Sequence, residues 1–269
     1  MQNSFDFENV YDIARRAGER ILAIYEDEAL AQRADLKADQ SPLTLADRES
    51  HRIITAGLQK QYPAVPVLSE EGHLTEYEVR RHWPRFWLVD PLDGTREFLH
   101  RNGEFTVNIA LLERNRPVAG VIYAPTLRRL YFATPQSGAY RQEAGQPAIP
   151  IRVSGKTEAL TVVRSRSHGT PEEDQVLRRY SVGEQLIVGS SLKFCLIAEG
   201  AADLYYRHGP TMEWDTAAGQ AILRIAGGTV SQLDGSPLQY NKVSLTNPGF
   251  ICRGSSTDPP SAVKDQSSV

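Results

Sequence analysis

The sequence predicts a mixed fold, α+β over residues 1–150 and α/β over residues 151–252. Three observations predict it. Apolar residues recur at helical spacing near the N-terminus, short apolar runs separated by turn residues continue to about residue 150, and strand-like runs then alternate with helical patterns. Residues 253–269 are rich in Ser, Pro and Asp, which predicts a disordered tail.

The first half is predicted to begin with two helices. Apolar residues at steps of three and four indicate an amphipathic helix over residues 10–25. A second helix is predicted over residues 44–58, because Thr44 is a suitable N-cap and Asp47 stands where a capping box needs an acid. Short apolar runs then predict strands at 65–69, 86–89, 105–112, 118–124, 130–133 and 138–141.

The second half shows a different pattern, in which strands and helices alternate. Strands are predicted at 160–164, 185–188, 202–206 and, as the last, 229–232. Helices are predicted at 171–180, 192–199 and 216–226. This alternation is typical of an α/β unit.

Composition excludes several classes of protein. The 269 residues include 30 Lys and Arg against 33 Asp and Glu, so no basic excess is present to hold a nucleic-acid polymer or an anionic membrane. Two cysteines, Cys195 and Cys252, are too few for a disulfide framework or a zinc site. With no apolar run of membrane length and no basic N-terminal segment, we expect a cytoplasmic protein without an integral membrane span.

Four acidic residues stand out by their positions. Glu70 and Asp90 each follow a predicted strand, Asp93 comes three residues later, and Asp215 follows Trp214 near the start of a helix. Taken singly, each has an ordinary interpretation as a loop acid, a helix cap or part of a turn.

The segment Trp87-Leu-Val-Asp-Pro-Leu-Asp-Gly-Thr95 favours a chemical role for these acids. It places two carboxylates and a hydroxyl in one turn, and Pro91 is expected to leave the Leu92 carbonyl free. All of these are the hard oxygen ligands that Mg²⁺ prefers. Two carboxylates about 4 Å apart repel by roughly 4 kcal/mol at an effective dielectric near 20, so a cluster of them needs cations.

Three motifs carry a resemblance to a known family. Glu70-Glu71, Asp90-Pro-Leu-Asp-Gly-Thr95 and Trp214-Asp-Thr-Ala-Ala218 resemble the signatures of the inositol monophosphatase superfamily. The resemblance implies a layered αβαβα sandwich and a lithium-sensitive phosphatase that uses two or three Mg²⁺ ions. The implied ligands are Glu70, Asp90 and the Leu92 carbonyl for one ion, and Asp90, Asp93 and Asp215 for another.

The same resemblance assigns a catalytic pair. Residues 37–47 are similar to the family's first loop and following helix, which implies that Asp47 hydrogen-bonds the Thr95 hydroxyl and that the pair orients the attacking water. Glu70 is the third implied catalytic residue. The capping interpretation of Asp47 is compatible with this role.

Cationic and hydroxyl residues of the second half are candidates for substrate binding. Ser190, Ser191 and Lys193 at a predicted helix start could bind an anion, and Arg207 could bind a second phosphate. Ordinary alternatives are a helix cap for Ser190, a solvated charge for Arg207 and a loop histidine for His168.

The segments that contain these residues resemble the 3′(2′),5′-bisphosphate nucleotidases of the superfamily. The segment Leu68-Ser-Glu-Glu71 and the runs at 96–98 and 101–110 carry the same resemblance. The resemblance implies hydrolysis of adenosine 3′,5′-bisphosphate, or of 3′-phosphoadenylyl sulfate, in sulfur assimilation. It places Ser191, Lys193 and Arg207 at the 5′-phosphate or ribose and His168 at the base. The full expected substrate set is Glu70, Leu92, Asp93, Gly94, Thr95, His168, Ser190, Ser191, Lys193, Arg207 and Asp215.

Two other functions stay open at this point. An inositol or sugar monophosphatase on the same scaffold would not need cations for a second phosphate. A non-catalytic nucleotide-binding regulator would lack a metal ligand or water-activating residue, and none is missing here. Residues 72–81 are an insertion that could cap the site. The resemblance also implies peripheral association with the inner membrane, for which the sequence shows no anchor.

Overall fold

The computed structural model describes residues 6–31, 34–36, 42–167 and 169–255. The chain begins with α1 (Glu8–Glu26), α2 (Glu28–Ala31), the paired strands β1 (Ala34–Leu36) and β2 (Pro42–Thr44), and α3 (Leu45–Gln61). Both predicted helices are confirmed. The buried face of α1 carries the apolar residues of the three-four spacing, Val10, Ile13, Ala14, Ala17, Ile21 and Ile24.

A seven-stranded sheet follows. Its strands are β3 (Val67–Ser69), β4 (Arg85–Asp93), β5 (Thr106–Glu113), β6 (Arg116–Ala124), β7 (Arg129–Thr134), β8 (Gly138–Glu143) and β9 (Ile149–Pro150), adjacent in chain order. Only β3 and β4 are parallel; the other neighbours are antiparallel. Two short helices flank β4, namely α4 (Tyr77–Arg80), within the predicted insertion, and α5 (Thr95–Leu99).

The second half forms a five-stranded sheet. Its elements are β10 (Leu160–Ser165), α6 (Pro171–Leu177), β11 (Val182–Val188), α7 (Leu192–Ala198), β12 (Leu204–Arg207), β13 (Thr211–Met212), α8 (Glu213–Ile225), β14 (Thr229–Gln232), β15 (Thr246–Asn247) and β16 (Phe250–Arg253). The strand order is β11-β10-β12-β16-β14, while β13 and β15 pair separately. Strand β10 is parallel to β11 and β12, and β16 is antiparallel to both of its neighbours.

The prediction that the last strand lies at 229–232 is wrong. The later strand β16 lies between β12 and β14, inside the sheet, and its residues Phe250, Ile251 and Cys252 are buried. This strand is stabilised by pairing with β12 and β14, neighbours that are distant in the chain. Arg253 belongs to this strand, whereas the rest of the predicted tail from residue 256 lies outside the described residues.

The elements stack as five layers, in agreement with the αβαβα prediction. Helices α1 and α3 cover one face of the seven-stranded sheet, α7 and α8 fill the space between the two sheets, and α6 contacts the five-stranded sheet. Strand β4 is therefore buried on both faces: Trp87 and Val89 join the cluster under α1 and α3, and Phe86 and Leu88 join the cluster around α8. At Gly120 of β6, an added Cβ would lie 2.4 Å from the Ala218 carbonyl oxygen, so a side chain there would push α8 off the sheet.

Among the described residues, no helix combines the length and the apolar composition that crossing a membrane requires.

Candidate active site

Strand pairing brings Glu70 and Asp90 together. Strands β3 and β4 are parallel, so their C-terminal ends lie at the same edge of the sheet. The Glu70 N–H donates to the Val89 carbonyl at 3.1 Å, which places Glu70 beside Asp90. Asp215, in the first turn of α8, completes a cluster in which oxygens of the three carboxylates lie within 4.8 Å of one another.

The turn after Asp90 is held by hydrogen bonds from its own backbone and from α3. The Leu92 N–H donates to Asp90 Oδ1 at 3.1 Å, and the Ser50 hydroxyl donates to the Pro91 carbonyl at 2.7 Å. Gly94 has a φ of +94°, and a Cβ there would lie 3.0 Å from the Glu104 carbonyl oxygen. Glycine thus allows the chain to pass from β4 into α5 and to carry Thr95 to the site.

Asp93 lies outside the three-carboxylate cluster and faces the second half of the chain. It accepts a hydrogen bond from Asn108 Nδ2 at 3.3 Å, and Asn108 Oδ1 in turn accepts one from the Ser191 hydroxyl at 2.7 Å. The sequence groups Asp93 with Asp90 because they share a turn, whereas the tertiary structure turns its carboxylate toward the α7 turn. The role of Asp93 as a ligand of the second ion stays a prediction.

The acidic cluster carries unfavourable electrostatic energy. Burial raises the pKa of Asp90 well above its usual range, and the neighbouring Glu70, Asp93 and Asp215 raise it further. Burial followed by Asp93 and Glu70 raises the pKa of Asp215 in the same way. Burial also raises the pKa of Asp93, to about 6, against an opposing effect of Lys193. Buried carboxylate oxygens that destabilise each other's charge fit divalent cations such as Mg²⁺.

Asp47 and Thr95 form the predicted hydrogen bond. The Thr95 hydroxyl donates to Asp47 Oδ1 at 3.2 Å. The other oxygen, Oδ2, accepts the Thr44 N–H at 2.7 Å and completes the capping box of α3. Both interpretations of Asp47 are therefore compatible, since each uses a different oxygen of one buried carboxylate.

Lys193 and Arg207 provide the cationic side of the site. Burial lowers the pKa of Lys193 to about 8, although Asp93 acts in the opposite direction. The Lys193 ammonium donates to the Ser190 carbonyl at 2.5 Å, and the Arg207 guanidinium donates to the carbonyls of Gly209 and Pro210 at 3.2 Å each. These contacts fix both cations in place through backbone carbonyls. They leave further donors on each cation, because an ammonium has three and a guanidinium five.

The predicted residues around α7 differ in their local roles. Ser191 occupies the N-cap position of α7 but makes no capping hydrogen bond with its side chain, and its hydroxyl contacts Thr106 and Asn108 instead. Ser190 has a φ of +49°, and its hydroxyl accepts the Leu192 N–H at 3.5 Å. His168 and the loop at 37–41 lie outside the described residues.

A cavity of about 510 Å³ joins the acidic and the cationic groups. Its lining includes nine of the predicted residues, namely Glu70, Asp93, Gly94, Thr95, Ser190, Ser191, Lys193, Arg207 and Asp215. Asp47, Asp90 and Leu92 are buried and do not line it. The volume lies within the range of pockets that enclose small organic ligands.

Sequence reasoning assigned no role to several other residues of the lining. Among them are Arg96, Glu97, Ser165 and Thr211. Glu97 is buried and accepts a hydrogen bond from the Ser167 hydroxyl at 2.6 Å, so it ties α5 to the loop after β10. Arg96 and Glu97 belong to the run at 96–98, which resembles the bisphosphate nucleotidases. That run is the signal in the sequence that could have indicated a role for them.

Comparisons with known proteins agree on one family. Residues 4–259 match the model of the inositol monophosphatase family. The chain is 48% identical to the 3′(2′),5′-bisphosphate nucleotidase CysQ of Salmonella typhimurium over 244 residues, which is 90% of this chain and 97% of that relative. It is 47% identical to CysQ of Escherichia coli K12 over the same length and the same shares.

Solved structures show the same relationship. The crystal structure of CysQ from Bacteroides thetaiotaomicron, described as a bacterial member of the inositol monophosphatase family, has a TM-score of 0.81 and 46% identity, and the match covers 91% of this chain and 96% of that one. The extragenic suppressor protein suhB from Bartonella henselae matches with a TM-score of 0.75 and 28% identity over 92% and 93% of the two chains.

Proposed function

The chain belongs to the inositol monophosphatase family, and we propose that it is a Mg²⁺-dependent 3′(2′),5′-bisphosphate nucleotidase. The observation that carries the proposal is the cavity that places the carboxylate cluster and two buried cations, Lys193 and Arg207, around one space. A substrate with two phosphates needs two anion-binding regions. The carboxylate cluster, through the metal ions that it would hold, is proposed to bind the phosphate that is cleaved. The two cations are proposed to bind the phosphate that remains.

The carboxylates fit a role as metal ligands. Glu70, Asp90 and Asp215 would hold Mg²⁺ through the oxygens that lie within 4.8 Å of one another, with the Leu92 carbonyl and Asp93 as further ligands. We propose two or three ions. When bound, they supply Lewis-acid stabilisation of the negative charge that develops on the phosphoryl and leaving-group oxygens.

Thr95 and Asp47 are proposed to orient the attacking water. Because the Thr95 hydroxyl donates its hydrogen to Asp47, its oxygen can accept a hydrogen bond from water. The water oxygen attacks phosphorus as a proton moves toward this pair, the bond from phosphorus to the ribose 3′-oxygen breaks, and that oxygen takes up a proton. The products are AMP and inorganic phosphate.

Arg207 and Lys193 are proposed to recognise the second phosphate. A guanidinium can hold two phosphate oxygens at once, while an ammonium acts as a point charge. Ser191 and Ser190 line the same part of the cavity, and His168 is proposed to lie at the base. The sulfated analogue also carries an anionic 5′ group, so we propose it as a second substrate.

Three further features belong to this proposal. The expected domain organisation places the metal-binding motifs in residues 1–150. It places the nucleotide-side residues and the last metal ligand in residues 151–252. We also propose inhibition by Li⁺ and a role in sulfur assimilation. The cytoplasmic location and the peripheral membrane association that the resemblance implies stay predictions.

A panel of substrates tests the proposal. Phosphate release would be measured with adenosine 3′,5′-bisphosphate, 3′-phosphoadenylyl sulfate, 3′-AMP and inositol 1-phosphate, each with Mg²⁺, with added Li⁺ and with a chelator. We expect kcat/KM for the bisphosphate to exceed that for inositol 1-phosphate by about a hundredfold, because two charged contacts are lost with the simpler substrate. Equal values for the two substrates would favour an inositol or sugar monophosphatase.

A further inference from the structure

A buried hydrogen-bond network joins α4 to the loop after β14. Arg80, the last residue of α4, is 3% exposed, and its guanidinium donates to Asn241 Oδ1 at 2.7 Å. The guanidinium also donates to the carbonyls of Lys242 and Val243. In return, Asn241 Nδ2 donates to the Arg80 carbonyl at 2.9 Å and to Asn115 Oδ1 at 3.0 Å. The loop is therefore tied to the first half of the chain at two places, α4 and the β5–β6 turn.

The same loop holds the first residue of α8. Glu213 is fully buried, and its carboxylate accepts the Asn241 N–H at 2.6 Å, the Lys242 N–H at 3.1 Å and the Lys242 ammonium at 2.6 Å. A buried carboxylate with this many charge-assisted partners cannot shift without losing several of them together. The N-terminus of α8 is thus held in one position relative to the loop.

Glu213 lies two residues before Asp215, so the network acts on a proposed metal ligand. Asp90 is placed by the regular strand β4, to which α4 leads after a short connection. Asp215 belongs to a helix of the other half, and its carboxylate must be held beside those of Glu70 and Asp90 although the charges of Asp93 and Glu70 repel it. Some interaction outside the cluster has to oppose that repulsion when α8 is placed.

We propose that Arg80 and Asn241 are positioning residues that seat the first turn of α8 on the seven-stranded sheet and thereby set the metal affinity of the Glu70, Asp90 and Asp215 cluster. This inference rests on the proposed function only in taking the cluster to be a metal site. It also gives the insertion at 72–81 a role that differs from the predicted cap, because its contacts reach α8 through the loop at 241–243.

Asn241→Gly is the most specific test of this proposal. Asn241 has a φ of +60°, which glycine adopts without strain, and the backbone N–H that binds Glu213 is kept. Only the side-chain amide that joins Arg80 and Asn115 is removed. Arg80→Met removes the guanidinium that donates to Asn241 Oδ1 and to the carbonyls of Lys242 and Val243, and it keeps the Arg80 carbonyl that accepts from Asn241 Nδ2. Arg81→Met is the matched control, because Arg81 is exposed and pairs on the surface with Glu78.

The readout is Mn²⁺ binding to metal-free protein, followed by electron paramagnetic resonance, with circular dichroism to verify the fold. We expect Asn241→Gly and Arg80→Met each to weaken Mn²⁺ binding about five- to twentyfold, since loss of groups that orient ligands typically costs tenfold or more. The double variant should lose less than the product of the single losses, because both single variants remove the hydrogen bond between the Arg80 guanidinium and Asn241 Oδ1. Arg81→Met should bind as the wild type does.

Unchanged Mn²⁺ affinity in a folded Asn241→Gly protein would overturn the inference, and so would an equal loss in Arg81→Met. If Arg80→Met does not fold, Asn241→Gly alone decides. At saturating Mg²⁺ the KM for adenosine 3′,5′-bisphosphate should stay within about twofold of the wild-type value, because the nucleotide side is untouched. A wild-type protein that binds Mn²⁺ but does not hydrolyse the bisphosphate would contradict the proposed function and leave this inference standing.

Discussion

The two sides of the cavity are built differently. The acidic side stands on regular structure: Asp90 lies within β4 and Asp215 in the first turn of α8. On the cationic side Lys193 lies in the first turn of α7 and Arg207 is the last residue of β12, and both donate to nearby backbone carbonyls. The acidic side thus holds groups that repel one another, whereas neighbouring carbonyls stabilise the two cations that are proposed to select the substrate. Damage to one side should therefore change turnover, and damage to the other should change substrate preference.

Asp90→Asn should have the largest effect. The change removes the charge of the most buried acid of the cluster but keeps its shape, so we expect kcat to fall by about a thousandfold or more while the fold is retained. Phosphate release at saturating Mg²⁺ measures it, with the exposed Asp234→Asn as control. A kcat within tenfold of the wild type would remove Asp90 from the site.

Thr95→Ala should be the next largest. It removes the hydroxyl that donates to Asp47 Oδ1 and leaves the capping contacts of Asp47 intact. We expect kcat to fall by about two to three orders of magnitude, within the range for general-base catalysis, with little change in KM. Thr95→Ser keeps the hydroxyl and should retain most activity. If both variants are equally impaired, the methyl group matters and the proposed role of the hydroxyl is wrong.

Arg207→Ala tests the cationic side. We expect KM for adenosine 3′,5′-bisphosphate to rise about ten- to a hundredfold, the value of one charged hydrogen-bonding group, with little change for 3′-AMP. Michaelis–Menten kinetics on the two substrates measures the difference, and Arg179→Ala, a change at an exposed residue of the same half, is the control. Equal effects on both substrates would show that Arg207 supports the loop and does not distinguish the second phosphate.

The pH dependence of KM should give the smallest effect. The pKa of Lys193 is lowered to about 8, so its positive charge is lost as the pH rises through that value. We expect KM for the bisphosphate to rise severalfold between pH 7 and pH 9 in the wild type. Lys193→Arg stays protonated over this range and should show a flatter profile. Identical profiles for the two proteins would mean that another group titrates.

Local signals in the sequence predicted a large part of this molecule. The spacing of apolar residues indicated α1, the Thr44 and Asp47 pair indicated the start of α3, and a strand ending in two acids indicated the acidic side of the site. Each signal lies within one turn or one strand. Strand β16 was missed, and its place inside the sheet depends on long-range pairing with β12 and β14.

The sequence by itself determined which chemical groups are available to the site. These are the carboxylates that follow strands, the Thr95 hydroxyl, and the cations of the second half. Only the tertiary structure decided how these groups are arranged. It grouped Asp90 with Glu70 and Asp215, turned Asp93 toward Asn108, and joined Arg80 to Asn241 across 161 positions of the chain. The physical reason is range, because turn chemistry and periodicity act between near neighbours, whereas the separation of charges in a site is set by the packing of whole elements.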